Sequence, residues 1–210
     1  EQVLSTDELE ALRQMQLASV EELPEVSRSD QTQHRLRHLE ALRAAGMEPY
    51  PLGGEKAGTA ASVLGVKDAL RIFSSENIPD SEFMVSGRVR ALRKHGGVLF
   101  ITLVEGAKTL QVVMERSLVG ERLLNLAAHA LDTGDIIIVQ GTYGVSRNGT
   151  PSLIAVSWYM ASKSLHPIPF DSFTDPEARL RRRSTDLLVH PDQMQNLRLR
   201  TAVSYTHLTL

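Results

Sequence analysis

The chain has 210 residues and 42% hydrophobic content, enough for an ordinary packed core in one or two domains. A formal net charge of -2 excludes nucleic-acid binding through bulk positive charge, so any such contact must come from a local patch. The absence of cysteine excludes disulfides, thiolate nucleophiles and cysteine-ligated zinc. It fits a reducing cytoplasm, and with no bilayer-long apolar run and no signal pattern at the start, a cytoplasmic protein without membrane contact is expected.

Ser5-Thr6-Asp7-Glu8 has the form of a capping box, and Leu9, Leu12, Met15 and Leu17 follow at roughly helical spacing, which predicts a first helix. A second is predicted from Gln33 to Ala45, with Leu36, Leu39 and Leu42 on one side and Gly46 as the stop. Pro49-Tyr50-Pro51 must be extended, and the Gly, Ala and Ser-rich stretch to about Ser62 reads as a connector. Residues 1–81 are therefore an N-terminal helical extension and connector.

From Glu82 the period changes to two. Val85, Val89 and Ala91, then Leu99, Ile101 and Leu103, then Leu110, Val112 and Met114 mark the apolar face of a three-stranded meander. Gly96-Gly97 and Gly106-Ala107-Lys108 supply its turns. Arg116 to Leu131 has helical spacing closed by Gly134, and strands at Ile136 to Thr142 and Ser152 to Met160 flank the tip Arg147-Asn148-Gly149-Thr150. This order predicts an all-β OB-fold over residues 82–161, a five-stranded Greek-key barrel with a helix between its third and fourth strands. N-terminal α-helices precede it, so the whole is mixed α/β.

If the apolar set points inward, alternation sends Arg88, Arg90, Phe100, Thr102, Gln111 and Val113 outward. An outward Phe100 offers a base a stacking surface, and the Gln111 amide can both donate to and accept from a base edge. Arg88, Arg90, Arg93 and Lys94 can hold phosphates, so the set suits a short unpaired RNA loop. The same pattern also fits a Phe100 that plugs the helix side of the barrel, a solvated Gln111 and arginines on an ordinary strand surface.

Several stretches carry a family resemblance. Asp175-Pro176-Glu177-Ala178-Arg179-Leu180-Arg181-Arg182-Arg183, after Lys163-Ser164-Leu165-His166-Pro167-Ile168-Pro169, resembles the hinge of class II lysyl-tRNA synthetases. The barrel segments Val85–Arg90, Gly97–Leu103 and Leu110–Val113, together with Arg43–Pro51, Thr133–Ile136 and Ala161–Leu165, are similar to the same family. The likeness runs from about Gln33 to about Thr201. It departs at Val104–Lys108, where an aspartate-rich turn is usual, at Leu180 and Ser184, which stand for hinge tyrosines, and at Leu165–Pro169.

The resemblance implies a lysine-tRNA ligase, in which Phe100 and Gln111 contact the central uridine of the tRNA(Lys) anticodon loop and the preceding basic strand contacts its backbone. It also implies lysine, ATP and Mg2+ bound by a class II catalytic domain, and a homodimer. Residues 162–202 would be the hinge and the start of that domain, and its ATP-binding arginines and glutamate are not found, so the catalytic domain is missing and this segment should be inactive, holding no catalytic residue, metal or cofactor. Residues 203–210 read like the translation of a sequencing-library adapter, an artefactual tail. Gly96–Phe100 and Gly149–Ile154 also resemble the synthetase-like half of lysyl-phosphatidylglycerol synthases, which upstream membrane spans would favour. A single-stranded nucleic-acid-binding module without a catalytic half is the remaining alternative.

Asn148-Gly149-Thr150 meets the bare glycosylation pattern but reads as a turn in a cytoplasmic chain. His34 and His38 share a helix face at i, i+4 spacing; without a carboxylate partner they read as a solvated face. Arg179, Arg181, Arg182 and Arg183 read as a solvated or ion-paired helix.

Overall fold

The computed structural model describes residues 30–51, 63–75, 77–146 and 149–208. The expected first helix, the connector 52–62 and the tip residues Arg147 and Asn148 lie outside them.

Helix α1 spans Asp30–Ala44, with Asp30 in its first turn and Arg43 in its last, each complementing the helix dipole. It ends where Gly46 takes φ 79 and the Met47 amide bonds back to the Leu42 carbonyl. Leu39 and Leu42 are buried as expected, but Leu36 is only half-buried and Arg35 takes the third buried place on that face. A short β1 (Leu64–Gly65) then leads into α2 (Val66–Phe73), whose Val66, Ala69 and Phe73 are buried.

The barrel strands are β2 (Phe83–His95), β3 (Val98–Glu105), β4 (Lys108–Glu115), β5 (Ile136–Val145) and β6 (Pro151–Ser162). β2, β3 and β4 form an antiparallel meander, β4 runs parallel to β6, β6 pairs antiparallel with β5, and β5 closes the barrel on β2. Closure leaves these strands without a free edge, and the strand order is that of an OB-fold. β1 adds in parallel to β2.

Leu99, Ile101, Leu103, Leu110, Val112 and Met114 are all at most 2% exposed, so alternation does place them in the core. The connection after β4 is not one helix: Gly120, at φ 85, breaks it into α3 (Arg116–Val119) and α4 (Glu121–Ala130). α4 caps the barrel with Leu124 and Ala127, and Trp158 Nε1 donates to the Leu123 carbonyl to fix the cap. β5 meets β6 so closely at a register shift that a Cβ on Gly141 would sit 2.1 Å from the Ile154 carbonyl oxygen; only glycine fits there.

After the barrel come α5 (Pro176–Arg181), α6 (Arg183–Val189) and α7 (Pro191–Leu208). Asp175 caps α5 by accepting from the Ala178 amide at 2.8 Å, and Pro176 sits where a missing N–H costs nothing. α7 runs on through 203–208, the stretch set apart in the sequence as a tail.

Candidate nucleic-acid interface

The face of β2–β4 opposite the core is set by one irregularity. Val89 pairs with Leu103 but Ala91 pairs with Thr102, so Arg90 is an extra residue in the ladder. Beyond it the alternation of β2 inverts. Ala91, expected in the core, stands on the outer face beside Thr102, and Leu92 takes the core position opposite Ile101. Arg93 consequently faces outward as the cross-strand partner of Phe100.

Arg93, Phe100, Thr102 and Gln111 line one depression of about 260 Å³. Thr102 is the direct partner of Gln111 and Phe100 that of Val113, so β2, β3 and β4 each contribute to it. Phe100 is half-exposed on the outer face and does not plug the helix side of the barrel. A neighbouring groove of about 410 Å³ continues past Phe100 and Gln111 to His95, Glu115, Val145 and Ile154. Val113, expected outward, does lie on this face but is only 4% exposed, so it floors the groove instead of offering a contact. Arg93, Lys94 and His95 are exposed at the end of β2, a local basic edge on a chain of net charge -2. The sequence does not single out His95, Val145 and Ile154; they reach the groove from β2, β5 and β6, with Ile154 paired to Val113 across β4 and β6.

Arg88 and Arg90 do not join this site. Arg88 lies before the bulge, where Nη1 donates to the Gly134 carbonyl at 2.7 Å, and burial pulls its guanidinium below the ordinary arginine value against the pull of Asp135. Arg90 turns to the chain leaving the barrel: its guanidinium carbon lies 5.9 Å from the Phe170 ring centroid and Nη2 is 3.7 Å from Asp171. Arg88 thus holds the loop before β5 and Arg90 the segment after β6, and both are engaged away from the Phe100 depression.

A buried ionic cluster fixes the barrel to its flanks. Lys163, just after β6, donates to the Ala130 carbonyl, to Asp132 Oδ2 at 2.5 Å and to Asp135 Oδ2 at 2.8 Å, which satisfies all its ammonium hydrogens. Asp135 Oδ1 accepts from the Ser164 amide. Burial, the largest single influence, would raise the Asp132 carboxyl, but the hydrogen bonds and positive charges of Lys163 and His38 together outweigh it and hold the group below the usual carboxylate range. Arg35 reaches from α1 to the carbonyls of Ser164 and Thr133, and the Tyr50 hydroxyl donates to the Lys163 carbonyl at 2.9 Å. α1, the Pro49–Pro51 stretch, the loop before β5 and the exit strand thus meet at one point. Arg179 and Arg183 are likewise spoken for: both donate to Asp186, which is fully buried, so these arginines are ion-paired inside the hinge.

Residues 83–161 match the family model described as an OB-fold nucleic acid binding domain of the tRNA anti-codon type. Curated relatives carry the name lysylphosphatidylglycerol biosynthesis bifunctional protein LysX. That of Mycobacterium ulcerans is 32% identical over 201 residues, 95% of this chain and 17% of the relative. That of Mycobacterium avium is 35% identical over 177 residues, 83% of this chain and 14% of the relative, and that of Rhodococcus opacus 32% over 178 residues, 84% and 15%. The chain therefore spans no more than 17% of the length of these relatives. The described residues form an anticodon-binding-like OB domain with helical flanks. No helix among them is long and apolar enough to cross a membrane.

Proposed function

We propose that this barrel, an OB-fold of the anticodon-binding type, grips an unpaired RNA loop on the outer face of β2–β4 and does so as part of a bifunctional lysylphosphatidylglycerol biosynthesis protein. The observation that carries the binding half is Phe100, a half-exposed ring on a closed barrel, framed by the Gln111 amide, the Thr102 hydroxyl and the Arg93 guanidinium. The ring stacks one base, Gln111 and Thr102 read its edge, and Arg93 with Lys94 holds the adjoining phosphates. A closed barrel with a glycine-tight seam keeps these groups in place before the RNA arrives.

The names of the relatives, at 32–35% identity over most of this chain, support the bifunctional parent over the lysine-tRNA ligase that the hinge resembles. The ligase is the second reading, and Asp175–Arg183 is the observation that favours it. In both readings the RNA is the anticodon loop of tRNA(Lys), and lysine, ATP and Mg2+ are the business of a class II domain. That domain activates lysine and passes it to the tRNA; residues 30–202 contribute grip and orientation, and no chemical step is assigned to them. A homodimeric parent belongs to the same proposal.

The test is binding of the chain to a lysine anticodon stem-loop and to one with its central uridine replaced by cytidine. The native loop is expected to bind more tightly. Phe100→Ala is expected to cost about 1–3 kcal/mol and Gln111→Ala to erase most of the preference. Equal binding to both loops, unmoved by Phe100→Ala, would sink the assignment. Membrane spans upstream of Glu1 in the parent reading frame would decide for the bifunctional parent over the ligase.

A further inference from the structure

The two histidines of α1 lack a carboxylate partner only along the sequence. The fold supplies one. The loop between α4 and β5 brings Asp132 against the same face of α1, where Asp132 Oδ2 lies 2.9 Å from His38 Nδ1. His34, one turn earlier, stacks edge-on against His38 with ring centroids 4.1 Å apart. One nitrogen of each imidazole and one oxygen of Asp132 all lie within 4.8 Å of one another.

We propose that His34, His38 and Asp132 form a binding site for a divalent transition-metal ion, Zn2+ being the ion whose chemistry fits best, outside the RNA-binding face.

Two imidazoles and one carboxylate make a ligand set suited to zinc, with further coordination positions left to water. An ion about 2 Å from each ligand needs donor atoms roughly 3 to 4 Å apart. His34 is exposed, so its ring has room to turn toward the other two donors. Spacing of four residues on a helix already puts both rings on one side. His38 and Lys163 both meet Asp132 at Oδ2, so Oδ1 is the oxygen that an ion would take.

Lys163 plays two parts. Its ammonium is fully buried and fixes the Asp132 carboxylate from behind, as outer partners of metal ligands do. It also places a positive charge beside the ion, so affinity should fall below that of a structural zinc site with an uncontested carboxylate. The ion would join α1 to the loop before β5, adding a second fastening beside the Arg35 bonds to Thr133 and Ser164.

The experiment is a titration of the whole chain with ZnCl2 in a non-chelating buffer at neutral pH, read by calorimetry and by melting temperature. A Co2+ titration, read by visible absorption, runs in parallel. His34→Gln is the informative variant, because that side chain is exposed and its removal leaves the buried cluster intact; His38→Gln is the second, and His166→Gln, exposed and far along the chain, is the control. One ion per chain, a raised melting temperature and a visible Co2+ band are expected for the unaltered chain and His166→Gln. Loss of an outer partner alone typically weakens metal binding about tenfold or more, so each ligand variant should lose at least that much. No saturable binding overturns the proposal, as does binding that survives His34→Gln unchanged, which would leave His38 and Asp132 as a simple hydrogen-bonded pair.

Discussion

Arg93 stands directly across from Phe100, and it does so because the ladder between β2 and β3 slips by one residue at Arg90. Without that slip Arg93 would face the core and the next outward arginine would be Arg90. One bulge therefore separates Arg90, which braces the exit from the barrel, from Arg93, which joins an aromatic ring.

Arg93→Ala should weaken binding of a lysine anticodon stem-loop and lower the slope of log affinity against log salt by about 1. Arg90→Ala should leave that slope unchanged while loosening the Phe170–Asp171 segment, which hydrogen exchange would detect. Fluorescence anisotropy at several salt concentrations separates the two. Equal salt slopes for both variants would mean that the bulge does not divide their roles.

Lys163→Met should destabilise the chain by about 3–5 kcal/mol in urea unfolding, because it leaves Asp135 and Asp132 without their counter-charge. Adding Asp135→Asn to Lys163→Met should recover part of the loss by removing one stranded carboxylate. If the double variant is less stable than the single, the cluster is held by something other than charge pairing.

Burial would raise the carboxyl of Asp186, but the hydrogen bond from Arg179, aided by His190 and Arg183, prevails and holds it below the ordinary carboxylate range. A depressed folded value means that the ionised group favours the folded hinge at every pH above the unfolded value. That contribution is lost as pH falls from about 4 through the lower folded value. Hydrogen exchange of residues 176–189 should accelerate in that acid window ahead of the barrel strands, and Asp186→Asn should loosen the hinge already at neutral pH. A hinge that loosens first above pH 5 would contradict the sign.

Gly141→Ala should cost about 1–3 kcal/mol, since the added methyl meets the Ile154 backbone and not a side chain able to turn aside. Gly46→Ala, which meets nothing but holds φ 79, is a comparison in which only backbone strain acts. Thermal unfolding of both, with the larger loss expected at Gly141, measures the tightness of the seam.

The barrel was readable from the sequence because a period of two over Leu99–Leu103 and Leu110–Met114 has a single structural meaning when turns of glycine punctuate it. The bulge at Arg90 was not, since an extra residue is defined by the partner strand and leaves β2 looking evenly alternating. Helix α2 has the spacing Val66, Ala69, Leu70 and Phe73, but it spans only eight residues beside a connector rich in Gly, Ala and Ser, too short a run for periodicity to predict a helix. Lys163, Asp132 and Asp135 show no periodicity at all. Charged residues disclose a shared buried site only when the chain is folded, and the same reason kept Asp132 apart from His34 and His38.

The meeting of Pro49, Tyr50 and Lys163 has a practical meaning for anyone who trims this protein. The Lys163 amide donates to the Pro49 carbonyl and the Tyr50 hydroxyl donates to the Lys163 carbonyl, so the segments that arrive at and depart from the barrel are tied together at one corner. A recombinant cut to residues 83–161 would leave the Asp135 carboxylate buried with no ammonium beside it. The smallest well-behaved piece should begin ahead of Arg35 and carry on beyond Ser164.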